Sequence, residues 1–142
     1  MTTEKLRNPL TPTAPTPALP LSTSGVTLNT GYLMPSLGLG TWGGGEPAEN
    51  SAKAVVEALK MGYRLFDCAE SYHNEREIGL ALQTVFQDDS VSIRRKDVFL
   101  CSKVWNTNHA AENVREACLN SLKNLQTDYL DLYLIHWPIA FE

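Results

Sequence analysis

Four short apolar runs begin near Leu37, Arg64, Val98 and Asp131, separated by 27, 34 and 33 residues. Between them the apolar residues take helical spacing. Ala52, Val55, Val56 and Leu59 fall at i, i+3, i+4 and i+7, and Ile78, Ala81, Leu82 and Val85 repeat the pattern. Val114, Ala117, Cys118, Ser121, Leu122 and Leu125 form a third stripe. Strand–helix units of this length imply parallel strands joined by right-handed crossovers. The runs are continuously apolar rather than alternating, as expected of strands covered on both faces. This spacing assigns the chain to the α/β class. Pro47 suits the first turn of the first helix and Gly62 its end. The predicted strands are a short run at 37–39, then 64–66 closing on Asp67, 98–101, and 132–135.

Ahead of these units, residues 26–28 and 32–34 flank Asn29-Thr30-Gly31, a three-residue hairpin loop with glycine available for a left-handed position. Pro35 ends the second strand. Five of the eight prolines (Pro9, Pro12, Pro15, Pro17 and Pro20) fall in the first 20 residues. They predict a flexible Pro/Thr-rich tail over 1–24, followed by one folded unit over 25–142. They also interrupt the apolar stretch a secretory signal needs. An apolar content of 43% supports a single core, and 12 basic against 16 acidic residues excludes the basic footprint of a nucleic-acid binder. No apolar run approaches the roughly 20 residues that span a bilayer. Cys68, Cys101 and Cys118 form no CxxC pair, and His73, His109 and His136 show no metal-ligand spacing. The expectation is a cytoplasmic protein with no metal site, no nucleic-acid partner and no membrane partner.

A parallel sheet is either doubly wound or closed into a barrel. Polar residues gather at the C-terminal ends of all four strands: Thr41 and Trp42, residues 67–72, residues 103–106, and His136 with Trp137. Ligands bind at that edge in both architectures. A contribution from every strand favours the barrel, because strands either side of a doubly wound switch point feed different halves of the crevice. Gly38-Leu39-Gly40-Thr41-Trp42-Gly43 satisfies the GxGxxG expression. That motif works when a helix starts inside it and aims its amides at a pyrophosphate. Here Gly43, Gly44, Gly45 and Pro47 precede the helix, and Trp42 crowds the motif. A glycine-rich loop at a barrel mouth is the better reading.

Asp67, Tyr72, Lys103 and His136 arise at three consecutive strand ends. Singly, each has an ordinary explanation: a turn aspartate, a half-buried aromatic, a surface cation, a core histidine. Together they share a proton-transfer logic. Tyrosine, with a pKa of about 10, is a reluctant acid, and a cation within about 4–6 Å favours its ionised form. Lys103 can supply such a cation, Asp67 can hold it charged and in place, and His136 can orient a carbonyl oxygen or share the proton. A carbonyl bonded to the tyrosine hydroxyl then accepts hydride, which must come from a cofactor because no side chain delivers one.

At these residues the chain resembles the aldo-keto reductase family. The resemblance is carried by Leu37-Gly38-Leu39-Gly40-Thr41-Trp42, by Gly62-Tyr63-Arg64-Leu65-Phe66-Asp67-Cys68-Ala69 with Tyr72, Asn74 and Glu75, by Ser102-Lys103-Val104-Trp105-Asn106, and by residues 128–138. It implies a (β/α)₈ TIM-barrel fold and the NADPH-dependent, reversible reduction of aldehydes or ketones to alcohols. Carried over by position, Tyr72 resembles the general acid, Asp67 and Lys103 tune it, and His136 positions the substrate. Gly40, Thr41, Trp42 and Asp67 resemble cofactor contacts near the nicotinamide and its ribose. Trp42, Trp105, His136 and Trp137 resemble the substrate pocket, and residues 26–34 the hairpin that plugs the barrel floor. Ser71-Tyr72-His73 departs from the family pattern beside the acid, in a place that bears on substrate preference.

A complete barrel of this kind takes about 250 residues, with phosphate-binding loops after strands 7 and 8. The expectation from 142 residues is therefore the first half of a barrel, with four strands, three helices and the catalytic residues, but without most of the NADPH site. A fourth strand with an unpaired edge would favour self-association. The competing expectation is a non-catalytic binding or regulatory module built on the same surface.

Overall fold

The computed structural model describes residues 24–141. The Pro/Thr-rich segment expected over 1–24 lies, apart from Ser24, outside the described residues. Strands β1 (Gly25–Thr27) and β2 (Leu33–Pro35) form an antiparallel hairpin in which Gly25 pairs with Pro35 and Thr27 with Leu33. Gly31 takes a φ of 87° in the loop, and its N–H donates to the Leu28 carbonyl at 2.9 Å. Glycine adopts that left-handed conformation without steric cost. Tyr32, Leu33 and Pro35 line a cleft with Arg64, Phe99 and Asp131, the N-terminal entries of the sheet strands. The hairpin thus sits at the end of the sheet opposite the polar rim.

The remaining strands are β3 (Leu39–Gly40), β4 (Leu65–Asp67), β5 (Phe99–Val104) and β6 (Leu132–Ile135), all parallel and laid side by side in chain order. Helices α1 (Ala48–Lys60), α2 (Glu75–Gln87) and α3 (Ala111–Leu125) alternate with them. Strict chain order separates the two α/β architectures. A doubly wound sheet reverses its order at a switch point, whereas crossovers of one hand that always advance in one direction leave every helix on the same face. Consistently, α1 packs on α2 and α2 on α3. The strand arrangement is that of a barrel wall.

Pairing of Asp67 with Cys101 and of Lys103 with Leu134 sets which residues share a face. Phe66 and Leu100 meet Val55, Leu59, Ile78, Leu82 and Leu125 in one core between sheet and helices. Asp67 and Lys103 lie on the opposite, concave face. All six residues of β5 are buried, as expected of a strand covered on both sides. Strand β6 differs, as expected of a fourth strand with an unpaired edge: Leu134 and Ile135 are exposed, and β6 pairs with β5 alone among the described residues.

Most strand ends lie a residue or so from the sequence reading, and two differences bear on the site. Strand β3 holds only Leu39 and Gly40, without Leu37, which is exposed. Strand β5 runs three residues beyond Cys101, so Ser102 and Lys103 are strand residues rather than loop residues. Polar side chains are tolerated inside a buried strand when their hydrogen bonds are satisfied. Ser102 donates to Glu75 at 2.6 Å, and Lys103 finds partners on the concave side.

Candidate active site

The segment leaving β4 carries most of the chemistry, and its neighbours hold it on three sides. Residues Glu70–Tyr72 form one 3₁₀ turn, closed by His73 at a left-handed φ of 54°. Asn74 then donates from Nδ2 to the Thr41 carbonyl at 2.7 Å, tying the segment to the loop after β3. The buried Glu75 carboxylate accepts from Ser102 Oγ on β5. The Glu70 carboxylate accepts from the Trp105 N–H at 3.3 Å and from Asn108 Nδ2 at 3.1 Å, which fixes the loop after β5. Tyr72 is therefore held in place relative to the strands on either side of its own.

Lys103, 8% exposed, spends its three ammonium hydrogens on three oxygens. Its Nζ lies 2.7 Å from Asp67 Oδ1, 2.8 Å from the Cys68 carbonyl and 3.3 Å from Tyr72 Oη. Burial by itself would depress the lysine pKa, but the Asp67 hydrogen bond and charge, followed by Tyr72, outweigh it and leave the value raised. Lys103 is thus a fixed cation. Because it donates to the tyrosine oxygen, the tyrosine's own proton points elsewhere, with the cleft before it.

His136 follows β6 and stays on the ladder through its backbone N–H, 3.2 Å from the Val104 carbonyl. Its ring meets Tyr72 edge-on at 5.5 Å and Trp105 edge-on at 5.2 Å, and lies parallel to Trp137 at 6.0 Å. Burial and then the Lys103 charge lower its pKa, with Asp67 opposing, so the imidazole is neutral at neutral pH. Tyr72, His136, Trp42, Trp105 and Trp137 line a cleft of about 660 Å³ at the C-terminal rim of the sheet.

All four residues of the expected catalytic set come together, and all three expected tryptophans line the cleft. Asp67 stands behind Lys103 and is not among the cleft residues. Thr41 is buried and donates its hydroxyl to the Asp67 carbonyl at 3.1 Å, so its side chain supports the site. Gly40 leaves open space: a Cβ there would meet nothing within 4 Å. Glu70 and Ser71 also line the cleft. The sequence marked Ser71 only as a departure from the family pattern and held no signal for Glu70, since each bonds a partner more than thirty residues away. Cys68 and Cys101 are not available as nucleophiles, because burial first of all pushes both thiols up to about 12.

A family model described as "Aldo/keto reductase family" matches residues 36–140. Aldo-keto reductase family 1 member A1-A of Danio rerio is 52% identical over 120 residues, which cover 84% of this chain and 36% of that protein. The NAD(P)H-dependent D-xylose reductase of Pachysolen tannophilus is 47% identical over 82% of this chain and 35% of its own length. A solved structure of aldose reductase from Giardia lamblia superposes with a TM-score of 0.69 at 51% identity, covering 73% of this chain and 33% of that one. The chain spans about a third of the length of these relatives. With the matched stretch running from the strand before the glycine-rich loop to the residues beyond His136, this chain belongs to the aldo/keto reductase family.

Proposed function

We propose that this chain provides the proton-donating and substrate-orienting part of a carbonyl reductase, converting an aldehyde or ketone to an alcohol as an NADP-linked alcohol dehydrogenase does in reverse. The observation that carries the reading is Lys103, held between Asp67 and Tyr72 with its charge directed at the tyrosine oxygen. A carbonyl oxygen in the cleft accepts from Tyr72 and from His136. As negative charge grows on that oxygen, Tyr72 gives up its proton, and the tyrosinate left behind is stabilised by the adjacent ammonium. Asp67 keeps the ammonium from turning away. Trp42, Trp105 and Trp137 exclude water from the reacting carbon.

The space above Gly40 and the half-exposed carboxylate of Asp67 suit the flat ring and ribose of a nicotinamide cofactor. Gly40, Thr41, Trp42 and Asp67 are the residues that would hold that end. When bound, NADPH supplies the hydride, which no side chain can. The relative named as an NAD(P)H-dependent D-xylose reductase supports this cofactor. Three free cysteines support a cytoplasmic location, and the exposed edge of β6 supports self-association.

The test combines binding with turnover. NADPH is titrated into the purified chain by tryptophan fluorescence, and reduction of a small aldehyde is then followed. Tyr72→Phe should lower kcat by about 100- to 10,000-fold, the usual worth of a positioned acid, with NADPH affinity unchanged. If Tyr72→Phe reduces the aldehyde at the wild-type rate, the assignment of the acid is wrong.

A further inference from the structure

We propose that Ser71 is a positioning residue for His136, holding its neutral imidazole in the tautomer whose proton sits on Nε2. The purpose of this device rests on the carbonyl-reductase reading; its geometry does not. Ser71 Oγ lies 3.2 Å from His136 Nδ1, across 65 residues of sequence, in a part-buried contact. The other rings around the imidazole are Tyr72 and Trp105 at its edges and Trp137 in parallel. They restrain the plane of the ring without engaging Nδ1. The nearby charges, Lys103 and Asp67, are paired with each other; burial first and then Lys103, against the opposing pull of Asp67, leave the imidazole neutral.

A neutral imidazole has one donor nitrogen and one acceptor nitrogen, and the partner of one decides the role of the other. The basic ring nitrogen is a stronger acceptor than a hydroxyl oxygen, so the favoured arrangement has Ser71 donating to Nδ1. Nε2 then carries the hydrogen. A carbonyl oxygen in the cleft meets two donors, Nε2–H and the Tyr72 hydroxyl. In the other tautomer the Nε2 lone pair would confront the lone pairs of that oxygen. Ser71 immediately precedes Tyr72 in the same 3₁₀ turn, so one turn sets both the acid and the orientation of its partner donor.

A role as a small spacer is separable from this one, because threonine and valine share a shape and differ in the hydroxyl. The whole chain is labelled with ¹⁵N-histidine, and long-range ¹H–¹⁵N correlations report which ring nitrogen bears the proton. With three histidines, the His136 signals are those missing from His136→Gln. Wild type and Ser71→Thr should show the Nε2–H form. Ser71→Val should shift the tautomer ratio about two- to fivefold toward Nδ1–H, at most the worth of one hydrogen bond, because in the other tautomer the serine hydroxyl accepts from Nδ1–H. Ser71→Ala, which only shortens the side chain, should do the same. A valine or alanine spectrum identical to wild type overturns the proposal, as does a wild-type proton on Nδ1. If the tautomer shifts as expected while no variant reduces an aldehyde, the reductase reading fails and the role of Ser71 stands. If aldehydes are reduced and the tautomer never shifts, Ser71 alone is refuted.

Discussion

Glu75 is a carboxyl buried at the start of α2, with the Ser102 hydroxyl at 2.6 Å and, among the described residues, no cation bonded to it. Burial raises its pKa above the ordinary value of 4.5, against the opposing pull of the Ser102 hydrogen bond. The consequence for stability has a definite sign. A carboxyl whose pKa is higher folded than unfolded holds its proton more tightly in the native state. Its contribution is present in full below the unfolded value and is lost as pH rises through the folded one. Glu75→Gln keeps an acceptor for Ser102 and removes the titration. In denaturant unfolding from pH 4 to pH 8, wild type should lose stability relative to Glu75→Gln as pH rises; a constant difference would show that Glu75 does not titrate on folding. The same residue shows why Ser102 and Lys103 fell outside the strand predicted over 98–101. A buried strand accepts a serine and a lysine only because Glu75, Asp67, Cys68 and Tyr72 satisfy them, and a partner some thirty residues away leaves no local mark. The residues proposed as the catalytic set could be picked out in the sequence, since Asp67, Tyr72, Lys103 and His136 each stand beside a strand that periodicity could place.

The helices were the most legible elements. Val55 and Leu59, Ile78 and Leu82, and Ala117, Ser121 and Leu125 are buried where the 3.6-residue stripe put them. Strand β3 was less so, because two residues of ladder depend on β4 and not on any local preference. Tertiary contact also decides Gly79 in α2, a position where propensity alone would prefer alanine. A Cβ there would stand 2.7 Å from the Leu125 carbonyl carbon and 2.8 Å from its Cα, and closer still to the Asn124 carbonyl oxygen. Backbone of α3 cannot rotate out of the way. Alanine gains about 1 kcal/mol in helix propensity, and overpacking costs about 1–3 kcal/mol. Gly79→Ala should therefore lower Tm by several degrees in a thermal melt. A higher Tm would mean that α2 and α3 separate more readily than their packing implies. At the other end of the sheet, Arg95 ties the entry of β6 to that of β5. It bonds Asp131 Oδ2 at 2.9 Å, the Tyr129 carbonyl at 2.8 Å and the Val98 carbonyl at 2.6 Å, and its guanidinium stacks 3.8 Å from the Tyr129 ring. The planar fork of arginine suits this shared role, which a lysine could not fill.

At the scale of the molecule, one run of exposed apolar residues lies along and just beyond β6, apart from those of the hairpin. Ile135 is 66% exposed, Ile139 60% and Trp137 55%. An edge strand with apolar side chains and free ladder groups is a template for pairing with another chain. We expect the purified chain to associate as its concentration rises, and Ile135→Lys to reduce that association in sedimentation velocity, because a charge at the edge opposes edge-to-edge pairing. Equal sedimentation of the two proteins at every concentration would remove β6 from consideration. The α/β class, the parallel sheet and the barrel type were legible from the recurrence of the strand–helix unit. The open edge of β6 was legible too, because four parallel strands cannot close on themselves. Strict chain order of the strands has a further consequence, in time rather than in space. Each strand pairs with the one synthesised before it, so the order of synthesis can also be the order of assembly. Translation at about 5–20 residues per second takes about 5–20 s to pass from Gly40 to His136. Over that interval the rim gains its groups in sequence: the open space at Gly40 first, then Asp67 and Tyr72, then the Lys103 ammonium that bonds them both, and last the His136 imidazole.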